Sequence, residues 1–165
     1  MKKLMTALMA LMLLLPALAL AAGPVLLVEL PEDALMVENI EFEDGDFIQT
    51  YQMGGAQVQL LRYASFDMTV EELAMSDWAG AQNVLPMEMT RVGNFPMSGV
   101  TLTYAEEGQE PLDVTLALVD AGAYTLVFSA VVPQGADEAV HAQIDALVKT
   151  MQVYSEELGG EGEVG

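Results

Sequence analysis

His141 and Asp145, four residues apart near the end of this 165-residue chain, are the only pair whose types and spacing suggest acid–base chemistry. On a helix that spacing brings two side chains together, and a carboxylate-oriented imidazole is a common general base. No nucleophile motif accompanies the pair. The chain has no G-x-S-x-G, no phosphate-cradling glycine loop and no cysteine. The favoured reading is a surface histidine beside a solvated acid. One histidine and no cysteine also argue against zinc.

A second cluster suggests an ion. Glu41, Glu43, Asp44 and Asp46 surround Gly45 and offer the oxygen ligands calcium prefers. Aligning Gly45 with the glycine of an EF-hand loop puts Ile40 and Phe42 where acids belong, and Tyr51 at the bidentate glutamate. The match fails, and an acidic β-turn is the simpler meaning. Met87, Met89 and Met97 lie close in sequence, and thioethers bind soft cuprous ions. Flexible core filling explains them more simply. The sequence therefore assigns no catalytic, cofactor-binding or metal residue, and no cofactor is expected.

What the N-terminus states is an address. Lys2 and Lys3 precede the apolar run from Leu4 to Leu15, then Pro16, then Ala17-Leu18-Ala19-Leu20-Ala21. This is the order of a secretory signal peptide, with cleavage expected after Ala21 and after Ala19 as the second choice. The rival is an uncleaved anchor, since Leu4 to Ala22 is nearly long enough to cross a bilayer. With no cysteine after the signal, no lipidation site follows, and no disulfide can form. Removing residues 1–21 leaves 144 residues, enough for one core-stabilised domain over 22–154.

Processing would remove two lysines and no acid, taking the net charge from −20 to −22. Arg62, Arg91 and Lys149 would be the only basic side chains left. Such a field repels phosphate backbones, so nucleic-acid partners are excluded. It favours solubility and cationic partners.

Around these residues the apolar pattern sets the elements. Val25 to Leu30 reads as a strand stopped by Pro31, and Leu35 to Phe42 as a second. Glu43-Asp44-Gly45-Asp46 is a hairpin turn, with glycine free to take positive φ. Phe47 to Gln52 and Ala56 to Tyr63 follow as strands, the latter with Val58, Leu60 and Arg62 on one face. Thr69-Val70-Glu71-Glu72 is a capping box, opening a helix whose apolar residues recur through Trp78 to Ala81, with Gly80 near its stop. Trp78 is expected to anchor that helix on the sheet.

Strands are then expected at Met87 to Val92, Met97 to Ala105, Leu112 to Asp120 and Tyr124 to Val132. Such close connections require antiparallel neighbours. Val140, Ile144, Leu147, Val148 and Met151 form the apolar stripe of a final helix. Residues 155–165 read as a disordered acidic Gly/Glu tail. The fold class is α+β: a mostly antiparallel sheet packed with two amphipathic helices.

That order of elements resembles the PsbP-like superfamily, which includes a photosystem subunit and bacterial envelope proteins of the DcrB type. Val28-Glu29-Leu30-Pro31, Thr69 to Leu73, Pro96 to Val100, Tyr124 to Phe128 and Ile144 to Val148 carry the resemblance. It implies an α/β/α sandwich used mainly for non-catalytic binding, and it transfers no functional residue. The missing lipidation cysteine departs from the DcrB-type pattern. The functional expectation is a secreted or envelope-facing, non-enzymatic binding or accessory protein, with an unknown protein partner and no stable membrane anchor. Two competing readings remain: an exported hydrolase whose carboxylates meet only in three dimensions, and a calcium-dependent surface module.

Overall fold

The structure, a computed structural model, describes residues 23–155; the expected signal of 1–21 and the tail beyond Ser155 lie outside the described residues. The chain runs β1 (Val25–Leu27), β2 (Leu35–Glu41), β3 (Phe47–Met53), β4 (Ala56–Tyr63) and α1 (Val70–Asp77). It continues with β5 (Gln82–Pro86), β6 (Arg91–Val92), β7 (Phe95–Tyr104), β8 (Leu112–Asp120), β9 (Thr125–Pro133), α2 (Glu138–Thr150) and β10 (Gln152–Tyr154). The main sheet is eight-stranded and antiparallel, ordered β2-β3-β4-β9-β8-β7-β5, with β6 paired to β7. A two-stranded sheet joins β1 to β10 and so ties the two ends of the described chain together. The α+β class expected from the sequence is the class observed.

The two helices lie on opposite faces of the sheet, because each strand presents two apolar sets at period two. Val140, Ile144, Leu147 and Val148 of α2 pack with Tyr51, Val58, Leu60, Leu126, Phe128 and Ala130. Val70 and Ala74 of α1 pack with Val100, Leu102, Val114, Leu116, Leu118 and Val127. Phe128 is fully buried, a burial that contributes about 1.5–3 kcal/mol. The β3–β4 turn comes close to α2 at Gly54, where φ is +56° and an added Cβ would meet Val140 Cγ2 at 2.8 Å. Only glycine suits both the backbone and the space there.

Local signals explain where the helices begin. The capping box forms as the sequence predicts: Glu72 N donates to Thr69 Oγ1 at 3.2 Å, and Thr69 N donates to Glu72 Oε2 at 2.8 Å. Asp137 caps α2 by accepting from Ala139 N at 3.0 Å. Trp78 does anchor α1, half-buried and edge-on to Tyr104 with ring centroids 5.2 Å apart.

Boundaries differ in four places. The first helix ends at Asp77, not near Gly80, because Trp78 leaves helical geometry while its N–H still bonds Ala74 O. The strand expected over 87–92 is displaced: β5 occupies Gln82–Pro86, and only Arg91–Val92 remains as β6. Gln82 to Pro86 carries little apolar periodicity, so pairing with β7, and not propensity, makes it a strand. β1 stops at Leu27, three residues short of expectation. β10 exists because β1 supplies a partner that no local pattern announces.

Candidate functional site

The face of the sheet beneath α2 is dry on one side and open on the other. Towards β4 and β9 it is filled by the apolar cluster under the helix. Towards β5, β7 and β8 a groove of about 340 Å³ opens between the sheet and the helix. Its walls come from four elements: Asn83 and Leu85 of β5, Thr101 and Thr103 of β7, Asp113 and Thr115 of β8, and His141 and Asp145 of α2. The threonines and Asp113 share this face because Thr101 pairs with Thr115 and Thr103 with Asp113 across the β7–β8 ladder. Val132 and Ile144 line the groove as well and are buried.

A backbone irregularity shapes the rim. The β5–β7 register shifts between Gln82 and Leu85, and Asn83 sits at φ +53°, the only non-glycine positive φ among the described residues. Asparagine tolerates this conformation better than most side chains. A bulge of this kind re-aims a side chain and is frequent beside binding sites.

Asp113 is the hub of the polar lining. Its Oδ1 accepts from Gln134 Nε2 at 2.7 Å and from Thr103 Oγ1 at 3.4 Å. Its Oδ2 faces His141 Nδ1 at 3.9 Å. His141 therefore finds its acid on β8 and not at Asp145, as the helical spacing suggests. The two side chains are 33 % and 44 % exposed, and 3.9 Å exceeds hydrogen-bond length. This is a loose, solvated pair. Among the described residues, no side-chain hydrogen bond engages Asn83, Thr101, Thr115 or Asp145, all of which line the groove.

A wider depression of about 530 Å³ lies on the other face, beside Met68, Thr69, Glu71, Ser98 and Asp120. Several of its polar groups already serve the backbone. Thr69 closes the helix cap, and Asp120 Oδ1 accepts from Gly122 N at 3.0 Å. The groove under α2 is the better-equipped site.

The acidic hairpin serves structure. Asp44 Oδ1 accepts from Asp46 N at 3.1 Å, and Asp46 Oδ1 accepts from Ala64 N at 2.6 Å. Gly45, at φ +86°, turns its carbonyl to Arg62. Among the described residues no group of three or more His, Cys, Asp or Glu is placed to hold a metal ion. Met97 is buried, and Met87 and Met89 pack against the same core.

The polar residue that sequence reasoning missed is Arg62, fully buried on the α2 face. Its Nε donates to Gly45 O at 2.8 Å, its Nη2 bonds the same oxygen, and its Nη1 donates to Pro24 O at 3.4 Å. The guanidinium lies 5.0 Å from the ring centroids of both Phe47 and Tyr124. Two neighbouring ring faces and two carbonyl acceptors suit arginine and not lysine. Its alternation with Val58 and Leu60 was the available signal, since a charge on an apolar face must be paired or exposed.

No family model matches the chain, and no curated protein does. Solved structures give likenesses of fold. LpqN of Mycobacterium tuberculosis, involved in cell envelope biogenesis, superimposes with a TM-score of 0.45 and 11% identity, over 80% of this chain and 84% of LpqN. A protein from Bacteroides thetaiotaomicron superimposes with a TM-score of 0.44 and 12% identity. That match covers 84% of this chain and half of the Bacteroides chain.

Proposed function

We propose that this is an exported, non-enzymatic binding protein of PsbP-like architecture that takes a small cationic ligand in the groove under α2. The groove carries the proposal: Asn83, Thr101, Thr115 and Asp145 converge on an open volume with their polar groups uncommitted. Two carboxylates and a chain charge of −20 favour an amine or guanidinium there. Buried Val132 and Ile144 would receive its carbon chain. The arrangement is poor for hydrolysis, because the imidazole–carboxylate pair is loose and no serine or cysteine lines the groove.

Support for the PsbP-like reading is the order of elements, with a capped helix and a C-terminal helix on opposite faces of an antiparallel sheet. Support for export is residues 1–21.

Amide chemical-shift mapping with putrescine and arginine ethyl ester tests the site. Shifts should concentrate at Asn83, Thr101, Thr115 and His141, and Asp145→Asn with Thr101→Val should weaken binding about tenfold. Shifts spread evenly over the acidic surface would refute a defined site.

A further inference from the structure

The main sheet ends in two edge strands that are treated differently. β5 is blunted by its register shift, by the left-handed Asn83 and by Pro86, which has no N–H to offer. Such devices close an edge to pairing. β2 remains open. Every one of its residues is exposed, although Leu35, Met36, Val37 and Ile40 are apolar. Leu35 is 67% exposed and Val37 54%.

The backbone of β2 is also half unused. Phe42 N donates to Asp46 O across the hairpin at 2.9 Å. Antiparallel bonding alternates, so Ile40 and Glu38 bond β3, and Asn39 and Glu41 turn their N–H and C=O outward. The shift between Met36 and Glu38 lies before this stretch, and pairing from Glu38 to Glu41 is regular.

We propose that β2 is the docking edge for an extended basic segment of a partner protein, which adds to the sheet as a further strand outside β2. Backbone bonds to Asn39 and Glu41 would supply affinity, as in strand addition generally. Charge identifies the occupant. Glu38 and Glu41 stand on the strand, with Glu43 and Asp44 just beyond, so lysine or arginine at facing positions is attracted. Apolar side chains between the basic ones would cover Ile40. A second copy of this chain would bring the same acids to the same edge, and the two net charges repel.

The test uses the protein as exported and a short synthetic peptide with lysine opposite Glu38 and Glu41 and valine or isoleucine between. Binding is followed by amide hydrogen exchange and by titration at low and physiological salt. The expected result is slowed exchange at Asn39 and Glu41, affinity that falls as salt rises, and no binding of the glutamate-for-lysine peptide. Glu41→Pro should lose binding at least tenfold while melting like the parent, because the Glu41 N–H makes no bond to β3. Should that variant melt early, Ile40→Lys provides an independent arm and should also lose binding at least tenfold. Unchanged affinity in the folded variants would overturn the proposal. So would protection of the same amides by the protein alone at high concentration, which would assign the edge to a second copy.

Discussion

Two polar centres on the same face of the sheet, Arg62 and the His141–Asp113 pair, show how burial separates structure from availability. Arg62 is completely enclosed, and its guanidinium is held by two carbonyl groups and two aromatic faces. Such satisfaction leaves nothing for a ligand and fixes three segments at once: residue 24, the turn at Gly45 and strand β4. The histidine pair keeps a third or more of each side chain in water and closes only to 3.9 Å. A pair that loose stabilises little, yet it borders an open groove. Among the described residues, the one buried cation serves the fold, whereas the half-exposed histidine pair stays open to solvent.

Breaking the buried centre should have the largest effect. Arg62→Ala strands the carbonyls of Gly45 and Pro24 and opens a cavity between Phe47 and Tyr124, at a cost of about 3–5 kcal/mol. Thermal or urea unfolding measures it; a loss below about 1 kcal/mol would mean that water replaces the side chain without strain. Arg62→Lys should recover only part, because an ammonium cannot contact both rings and still reach both carbonyls.

An intermediate effect is expected in alkali. Tyr51 is buried beside Val58, and burial raises the pKa of its phenol above the ordinary value near 10. A raised pKa in the folded state means that the unfolded chain loses this proton first. The tyrosine's contribution is therefore intact below pH 10 and fades as pH climbs through the folded value. Tyr51→Phe should flatten the fall of melting temperature above pH 10; an unchanged slope would assign the alkaline loss to other groups. The smallest effect belongs to the groove. His141→Ala should alter stability by no more than about 0.5 kcal/mol in urea titrations. A loss comparable to that of Arg62→Ala would erase the contrast between the two centres.

Much of the architecture was legible because it rests on local chemistry. Thr69 and Glu72 announce the capping box, Gly45 announces its turn, and the stripe of Val140, Ile144 and Leu147 announces α2. The groove was legible only in fragments. Thr101 and Thr103 alternate with apolar neighbours, which puts them on one face but does not say that the face is open. Asp113, 28 positions before His141, gives no local sign of becoming its partner. β5 and β10 were missed for a related reason, since each is a strand by virtue of the strand beside it.

By itself the sequence determined the class of fold, the start of the first helix, the turn at Gly45 and the excess of acid, because periodicity, capping and charge act over a few residues or simply add. Only the tertiary structure decided that Arg62 is enclosed, that His141 faces Asp113, and that β2 stays open while β5 is blunted. Those outcomes depend on which strands become neighbours, and that follows from the simultaneous burial of both faces of the sheet, a condition no short stretch of sequence contains.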